Sequence, residues 1–334
     1  MQRIELGAKV GLEGLLIAEV TPRPPAAGEV QVRVHASSLN FHDYLVAMGL
    51  LPADAGRVLM SDGAGEVSAV GEGVSGFAVG DRVISHFFPN WIDGAPSFEN
   101  LQGVPGDHLD GFASQTVTMP ERAFSSMPAH MSFAEAATLP CAGLTAWRAL
   151  MEETRLRPGD WVLVQGSGGV SVFALQIAKK IGCRVIATSS SDAKLQKLSA
   201  LGADELINYR EVPDWGRRAT QISGGGVDLV VEVGGPGTVT QSVRALKMGG
   251  CISMIGVLTG ISGDVPLAEF FQRNAVMSGI TVGSHAHQAA MVKAFEAWEL
   301  RPVIDSSYPL AELAAAFRHQ ESQTHLGKIV LGLG

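Results

Sequence analysis

The sequence predicts an α/β protein with a β-rich amino-terminal domain and a doubly wound parallel sheet. Beyond Pro158, short apolar strands alternate with helices, which is the pattern of a parallel sheet covered on both faces. Residues 161–191 form one strand, a glycine turn, a helix and a second strand, a βαβ unit of the usual size of about 30 residues. Before this region the predicted strands are short and rich in glycine, as in a small curved barrel.

Composition fits a globular protein of enzyme size. The 334 residues favour two domains, and 46% hydrophobic with 17% charged residues suffices for packed cores. A net charge of −8 argues against nucleic acid or a membrane surface as partner. No apolar run is long enough to span a bilayer, the first residues lack a signal-peptide pattern, and three separated cysteines form no disulfide framework. We therefore expect a cytoplasmic protein.

The first half of the chain contains predicted strands and one polar helix. Alternation of Val30, Val32 and Val34 with polar residues indicates a half-buried strand at 29–36. The predicted short helix at 37–49 begins with polar side chains that either line a cleft or act as caps and turn residues. The remaining predicted elements are a strand at 15–20, a strand pair within 59–83, an irregular loop at 87–108, a strand at 111–119 and helices at 133–139 and 142–151.

In the second half, helix-period and strand-like segments follow one another. We predict five strands of a parallel sheet with four helices between them, and then two further helices. A closing strand at 327–333 is predicted to complete the sheet of the amino-terminal domain. The predicted strands are 161–165, 184–188, 205–208, 227–233 and 251–256, and the predicted helices are 170–181, 193–201, 215–222, 238–246, 288–300 and 310–320.

The turn after the first of these strands indicates a nucleotide site. Gly166 allows the chain to leave the strand tightly, and Gly168 allows a pyrophosphate to approach the backbone. The free N–H groups at the start of the following helix favour an anion. Ser171 stands where the usual pattern has its third glycine, and an ordinary tight turn is the alternative. The residues predicted to bind the phosphates are Gly166, Ser167, Gly168, Gly169 and Val170.

Several motifs in one order resemble the medium-chain dehydrogenase/reductase superfamily, which includes alcohol dehydrogenases and quinone oxidoreductases. They are SLNFHDYL within 37–45, SDGAGEVSAVGEGV at 61–74, VGDRV at 79–83, PCAGLTAWRAL at 140–150, VLVQGSGGVSVFALQIAK at 162–179, LGADELINY at 201–209 and GKIVL at 327–331. The resemblance implies a GroES-like β-barrel substrate domain at 1–126 and 281–334, a Rossmann cofactor domain at 127–280, and a cleft between them. It also implies a homodimer.

The positions that hold catalytic zinc in relatives have changed here. By resemblance they correspond to Asn40, Ser61 and Cys141, and a single soft ligand does not hold zinc. The segment 87–111 also lacks the cysteines of the structural zinc site. His285 and His287, with His42 and His86, provide no third ligand at recognisable spacing. We therefore expect no metal.

The end of the second strand of the βαβ unit bears on the choice between NADP(H) and NAD(H). NAD enzymes usually place an acid there, about 20 residues after the first glycine, whereas this chain has serines followed by Lys194. Serine hydroxyls and a lysine can bind a 2′-phosphate, and the resemblance adds Tyr209. Asp192 leaves NAD(H) possible if its carboxylate faces the ribose. The serines in question are Ser189 and Ser190. By resemblance, further cofactor contacts are expected at Thr145, Gly256, Val257, Gly283, Ser284 and Lys328.

Without zinc, the expected reaction is hydride transfer from NADPH to an acceptor that is already electrophilic, such as a quinone or an enone. The candidate catalytic residues are His42 and Tyr44 as proton donors and Asn40 as an orienting group. A structural hydrogen bond is the alternative role for each. The alternative functions are a zinc-independent alcohol dehydrogenase or carbonyl reductase, and an NADPH-binding protein with little turnover.

Overall fold

The computed structural model describes all residues, Met1–Gly334, and its packing divides the chain into two units. One unit comprises Met1–Leu144 and Val282–Gly334, and the other comprises Thr145–Thr281. The first division lies later than the predicted boundary at 126/127, because helix α2 (Phe133–Ala136) packs against strands of the first unit. None of the helices combines the length and the apolar character that crossing a membrane requires.

The sheet of the first unit has seven strands, and antiparallel pairing dominates it. Strand β15 (Lys328–Gly332) pairs antiparallel with β3 (Glu29–Ser38) and parallel with β14 (Ile304–Pro309), so the prediction that the closing strand completes the amino-terminal sheet is confirmed. A separate ribbon is made by β1 (Gln2–Leu6) and β2 (Leu15–Glu19). The strands of the sheet are β3 (Glu29–Ser38), β4 (Asp62–Val70), β5 (Arg82–Ser85), β6 (Thr116–Pro120), β7 (Phe124–Ser126), β14 (Ile304–Pro309) and β15 (Lys328–Gly332).

The helices of the first unit are α1 (Phe41–Ala47), α2, α9 (His285–Trp298) and α10 (Leu313–Glu321). The core between them is made by buried valines and other apolar side chains from β3, β4 and β15, including Val32, Val67 and Leu331. Residues 87–108 contain no helix and no strand of the sheet, as predicted for this irregular segment.

The second unit is a six-stranded parallel sheet, which confirms the predicted doubly wound class. Its strands are numbered along the chain from β8 (Trp161–Gln165) to β13 (Val276–Gly279), and their order in the sheet is β10-β9-β8-β11-β12-β13. The chain therefore starts in the middle of the sheet, moves to one edge and then to the other. Ligands bind such sheets at the carboxyl ends of the strands where the order reverses, here beside β8. The strands are β8 (Trp161–Gln165), β9 (Arg184–Ser189), β10 (Glu205–Asn208), β11 (Val227–Glu232), β12 (Leu246–Met254) and β13 (Val276–Gly279).

The helices of the second unit pack on this sheet. They are α3 (Leu144–Trp147), which starts at the last residue of the first unit, α4 (Gly169–Ile181), α5 (Asp192–Ala200), α6 (Trp215–Ser223), α7 (Val239–Ala245) and α8 (Leu267–Gln272). The predicted helix at 142–151 is instead short α3 between two wider helical turns, Leu139–Gly143 and Arg148–Glu152. Strand β13 was not predicted, so the sheet has six strands rather than five.

Candidate functional site

A buried polar cluster in the first unit forms around the amino-terminal end of α1. Asn40 caps this helix and is 6% exposed. Its backbone N–H donates to Asp43 Oδ2 at 2.9 Å, and its side-chain Nδ2 donates to Ser61 Oγ at 3.2 Å. The cap therefore fixes the Asn40 side chain against the turn that precedes β4.

The turn before β4 is held in an unusual backbone conformation. Met60 has φ +78° and is fully buried, a conformation that persists only where the surroundings impose it. The following residue, Ser61, donates its backbone N–H to Asp43 Oδ1 at 2.8 Å. Asp62 comes next and is fully buried, and its Oδ2 accepts from the backbone N–H of Cys141 at 3.3 Å. Ser61, Asp62 and Cys141 are thereby brought to Asn40.

Lys328 completes the cluster, and only its tertiary position reveals this. It is 4% exposed, and its Nζ donates to the backbone O of Leu39 and to Asn40 Oδ1, each at 2.5 Å. Lys328 was predicted to contact the cofactor, and its ammonium is bonded to the candidate catalytic residue Asn40. The pairing of β15 with β3 brings the first residue of the closing strand to this point.

The electrostatics of the cluster are dominated by burial. Burial raises the pKa of Asp62 to about 7, although the positive charge of Lys328 opposes the rise, and the neighbouring Asp43 adds to it. Burial likewise raises the pKa of Asp43 and places the pKa of the Cys141 thiol well above its usual value. Cys141 is therefore a neutral thiol here, and Asp62 is a carboxyl group poised to change charge near neutral pH.

His42 and Tyr44, the candidate proton donors, lie in different environments. His42 Nε2 lies 3.0 Å from Asp107 Oδ2, although not in good hydrogen-bond alignment. Burial lowers its pKa, but Asp107 and the other nearby carboxylates raise it overall. The Tyr44 hydroxyl donates instead to Glu321 Oε1 at 2.8 Å, and burial together with this bond raises its pKa. A tyrosine engaged by a carboxylate is a poor proton donor, so this geometry argues against the proposed role of Tyr44.

No group of three or more histidine, cysteine or acidic side chains in the structure is arranged to hold a metal ion. The ring of His285 stacks on His86, with centroids 3.6 Å apart, and burial lowers the pKa of both. His287 Nδ1 accepts from the backbone N–H of Ser284 at the start of α9. These histidines have structural partners of their own.

The glycine turn of the second unit has the shape of an open anion site. Gly166 has φ +70°, and its N–H donates to the backbone O of Thr188 at 2.8 Å. A Cβ atom added at Gly166 or at Gly168 would meet no atom within 4 Å, so the space over the turn is free for a ligand. No side chain caps the first N–H groups of α4, which follow at Gly169 and Val170. The turn therefore fits a pyrophosphate.

Ser171 explains how the turn forms without its third glycine. Its hydroxyl donates to the backbone O of Gln165 at 2.6 Å, and the residue is 2% exposed. The small side chain thus ties the first turn of α4 back to the end of β8. Glu232 had no signal in the local sequence. It is a fully buried carboxylate at the end of β11 that accepts from Gln165, Ser242, Thr238 and two backbone N–H groups.

The residues predicted to recognise the adenosine ribose lie along neighbouring strand ends. The N–H of Tyr209 donates to the O of Ser189 at 3.1 Å, and Asn208 pairs with Ser189 in the sheet. Ser190 follows Ser189 directly, and Lys194 lies in the first turn of α5, where its N–H donates to Ser191 Oγ. Asp192 Oδ1 accepts from the Asn208 side-chain amide at 2.8 Å.

The other predicted cofactor residues are distributed over both units. Thr145 is buried at the start of the second unit. Gly256 donates its N–H to the O of Glu232 at 3.2 Å, and Val257 beside it is 45% exposed. Gly283 and Ser284 belong to the first unit, where the Ser284 hydroxyl accepts from the N–H of His287. Ser284 therefore has a capping role within its own unit.

Two family models match the chain. The model described as "Alcohol dehydrogenase GroES-like domain" matches residues 26–129, and the model described as "Zinc-binding dehydrogenase" matches residues 169–297. The first confirms the GroES-like class that was predicted for the amino-terminal part.

Individual proteins are similar over nearly the whole chain. The zinc-type alcohol dehydrogenase-like protein C1773.06c of Schizosaccharomyces pombe is 42% identical, covering 93% of this chain and 92% of its own. A crystal structure of an NAD-dependent alcohol dehydrogenase is 35% identical, with a TM-score of 0.91 and complete coverage of both chains. The Escherichia coli quinone oxidoreductase complexed with NADPH is 27% identical, with a TM-score of 0.85 and complete coverage of both chains.

Proposed function

Since the chain belongs to the medium-chain dehydrogenase/reductase superfamily and is an NAD(P)-dependent oxidoreductase of that family, we propose that it transfers hydride from NADPH to a quinone, an enone or another activated carbonyl compound without catalytic zinc. The observation that carries this proposal is the composition of the buried cluster. By the resemblance, Asn40, Ser61 and Cys141 correspond to the zinc-ligand positions of the zinc-dependent relatives, and Asn40 is bonded to the ammonium of Lys328.

The donor set of the cluster argues for zinc independence. An amide, a hydroxyl and a single thiol offer one soft ligand, whereas a catalytic zinc site uses three protein ligands of the cysteine, histidine or carboxylate type. A divalent cation would also have to compete with the ammonium of Lys328 for Asn40 Oδ1. Metal analysis of the purified protein should find no bound zinc, and activity should survive prolonged treatment with a chelator.

The preference for NADP(H) is supported by the residues at the ends of β9 and β10. Ser189, Ser190 and Tyr209 lie together at these strand ends, and Lys194 adds a positive charge in the first turn of α5, so hydroxyls and an ammonium are available for a 2′-phosphate. The Asp192 carboxylate, which would repel that phosphate, is engaged by Asn208. When bound, the cofactor supplies the hydride, and the chain's own residues hold its phosphates at Gly166–Val170 and orient the acceptor.

The choice of acceptor follows from the missing Lewis acid. Hydrogen-bond donors polarise a carbonyl oxygen less strongly than zinc does, so an acceptor that is already electrophilic at carbon suits this site best. Quinones and enones have this property, whereas simple ketones and alcohols do not. The similarity to an NADPH-binding quinone oxidoreductase supports this choice.

The test begins with nicotinamide fluorescence titrations of the chelator-treated protein with NADPH and, separately, NADH. We expect NADPH to bind at least about ten-fold more tightly, because one charged contact to the phosphate contributes about 1.4 kcal/mol or more. The Lys194→Gln variant should lose that preference while keeping its affinity for NADH. Equal binding of both cofactors by the unaltered protein would overturn the NADP(H) assignment and return Asp192 to the ribose.

NADPH oxidation is then measured with 1,4-benzoquinone, a cyclic enone, an aldehyde and a simple ketone. Turnover with the first two supports the proposal. An alcohol dehydrogenase or carbonyl reductase is the second candidate, favoured by the similarity to an NAD-dependent alcohol dehydrogenase, and it predicts turnover with the aldehyde and with alcohols in reverse. Tight NADPH binding without turnover of any acceptor would instead indicate a binding protein.

We further propose that the chain forms a homodimer through the edge of the parallel sheet. Strand β13 is the last strand of the sheet order, and Val276 on it is 57% exposed. Helix α8 contains no buried residue, and its Leu267 and Phe271 are 70% and 67% exposed. An unpaired strand beside apolar side chains favours association with a second copy. Light scattering should give a dimer, and Phe271→Glu should give a folded monomer. A cytoplasmic location stays a prediction.

A further inference from the structure

The buried cluster of the first unit contains two polar groups whose bonding is incomplete. Lys328 has three ammonium hydrogens but only two acceptors, the backbone O of Leu39 and Asn40 Oδ1. Neither acceptor is charged, and no carboxylate lies within the 4.0 Å that defines an ion pair. Asp62 Oδ1 is buried without any hydrogen-bond partner. An unused donor and an unused acceptor thus occur together in a region that is more than nine-tenths buried.

Such groups are costly to keep away from water, and natural structures rarely leave them unpaired. A ligand oxygen would satisfy both of them. A carbonyl oxygen accepts from an ammonium, and the hydroxyl group that it becomes on reduction can also donate to a carboxylate. The carboxylate of Asp62 interacts with the charge of Lys328 without touching it, so the two groups are near each other but not bonded. Cys141, bonded to Asp62 through its N–H, remains partly exposed, so the cluster reaches the surface of its unit.

We propose that Lys328 and Asp62 form the binding site for the acceptor's reacting oxygen. The Lys328 ammonium donates a hydrogen bond to that oxygen, and Asp62 accepts one from it once it carries a hydrogen. This inference rests on the proposed function, and it restricts the substrates to compounds that carry a carbonyl oxygen conjugated to the carbon that is reduced. A quinone, an enone and an enal qualify, whereas an isolated alkene does not.

The electron and proton balance is simple. The hydride brings two electrons to the electrophilic carbon. The electron pair of the carbon–oxygen π bond, or of the π system conjugated to it, moves toward the oxygen, and the negative charge collects on the oxygen bound by Lys328. Lys328 stabilises that charge without giving up its own proton. Where the carbonyl carbon itself is reduced, water protonates the oxygen to give the alcohol. For an enone, water protonates the α-carbon of the enolate to give the saturated ketone. For a quinone, water protonates the oxygen, and tautomerisation of the ring then gives the hydroquinone. The cofactor would be released as NADP⁺, and where the product carries a hydroxyl group, as a hydroquinone or an alcohol does, Asp62 holds that hydroxyl until release.

The position of Lys328 gives this assignment its physical basis. Its ammonium is fixed by two short bonds at 2.5 Å to groups on neighbouring residues, so it needs no reorganisation when charge develops. It is also the positive charge bonded to Asn40, one of the positions that by the resemblance correspond to zinc ligands in zinc-dependent relatives. A lysine that only braced β15 against α1 would have the same two bonds, and the experiment must separate the two roles.

The first probe is 4-(dimethylamino)cinnamaldehyde, whose absorption moves to longer wavelength when its carbonyl oxygen is polarised by a positive charge. It is added to the protein saturated with NADP⁺, which cannot reduce it. We expect a shift to longer wavelength with the unaltered protein and with Lys328→Arg, and none with Lys328→Met although the probe still binds. Lys293→Met, which removes an exposed lysine from the same unit, is the matched control and should behave like the unaltered protein.

The second measurement is kinetic. With 1,4-benzoquinone, Lys328→Met should lower kcat/KM by about 10²–10³-fold, the usual loss for an oxyanion donor, while the dissociation constant of NADPH stays within about two-fold. Asp62→Asn should keep the absorption shift but bind the product hydroquinone about ten-fold more weakly, because one charged hydrogen bond is lost.

The outcomes separate this inference from the proposed function. If the probe bound to the unaltered protein shows no shift, Lys328 and Asp62 are not the binding site of the reacting oxygen. This result needs no variant that could fail to fold. If folded Lys328→Met keeps the full shift or the full kcat/KM, Lys328 is a structural brace and the proposed function stands. If the shift depends on Lys328 but no acceptor is reduced by NADPH, the oxygen-binding site is supported and the proposed function is refuted.

Discussion

Replacing Asp62 with asparagine should change how the stability of the protein depends on pH. Asp62 is fully buried, and its folded-state pKa of about 7 lies above the ordinary value of 3.8. The folded protein therefore holds this proton more tightly than the unfolded chain does. The resulting contribution to stability is fully present below pH 3.8 and is lost as the pH rises through about 7.

The magnitude follows from the two pKa values. The whole difference between 3.8 and about 7 corresponds to about 4 kcal/mol, and about 2.5 kcal/mol of this is lost between about pH 5 and about pH 8. Asparagine has nearly the same shape, and its Oδ1 can still accept from the N–H of Cys141. The free energy of unfolding of Asp62→Asn, relative to the unaltered protein, should therefore rise by about 2.5 kcal/mol over this interval.

Urea unfolding at a series of pH values measures this difference, with the slope in urea compared between variants so that a change in the unfolded state is recognised. Asp54→Asn removes an exposed carboxylate from the same unit and is the control. We expect its difference from the unaltered protein to stay constant with pH. Parallel stability curves for Asp62→Asn and the unaltered protein would refute the reasoning, because they would mean that Asp62 titrates alike in the folded and unfolded chains.

Three further predictions follow from local geometry. Gly168→Val should weaken NADPH binding at least ten-fold in a fluorescence titration, because its side chain would occupy the space expected for the pyrophosphate. It should change stability by no more than about 0.5 kcal/mol, because the added Cβ enters open space in the free protein. Gly332→Ala, whose surroundings are also open, is the control and should leave binding unchanged. Gly63→Ala should lower the free energy of unfolding by about 1–3 kcal/mol, since its Cβ would lie 2.2 Å from the Phe112 ring, and an unchanged urea midpoint would contradict this. Glu232→Gln should cost about 1.5–3 kcal/mol because an amide nitrogen replaces one acceptor oxygen among the buried donors, and a thermal melt of the variant at neutral pH checks it.

Periodicity predicted most of the fold because the elements of the second unit are strongly apolar and regularly spaced. The strand at 205–208 and the helix that starts at Trp215 lie where the pattern placed them. Strand β13 was missed because it has four residues, and Val276 and Gly279 in it are exposed, so it has neither an apolar run nor clear alternation. An edge strand is defined by its pairing with β12, which the local sequence does not encode.

The candidate site was only partly predictable for a related reason. Asn40 was identified from its local motif, but its partner Lys328 lies 288 positions along the chain. A signal existed, because a lysine that begins a strand predicted to complete a buried sheet must find polar partners there. The role of Tyr44 could also have been questioned beforehand, since residues two apart on a helix do not face the same side, and His42 and Tyr44 indeed contact different partners.

The buried charges themselves are the strongest argument that the cluster serves chemistry. Two fully buried carboxylates and one buried lysine are less stable than apolar side chains of similar volume would be, because burial removes each charge from water. The pKa of Asp62, raised by burial even though the charge of Lys328 opposes the rise, reflects this cost directly. Asp43 has a structural explanation in the helix cap and the Ser61 turn, which use both of its oxygens. Lys328 and Asp62 do not use all of theirs, and a fold that needed only a brace between β15 and α1 would have no reason to keep an unpaired donor beside an unpaired acceptor.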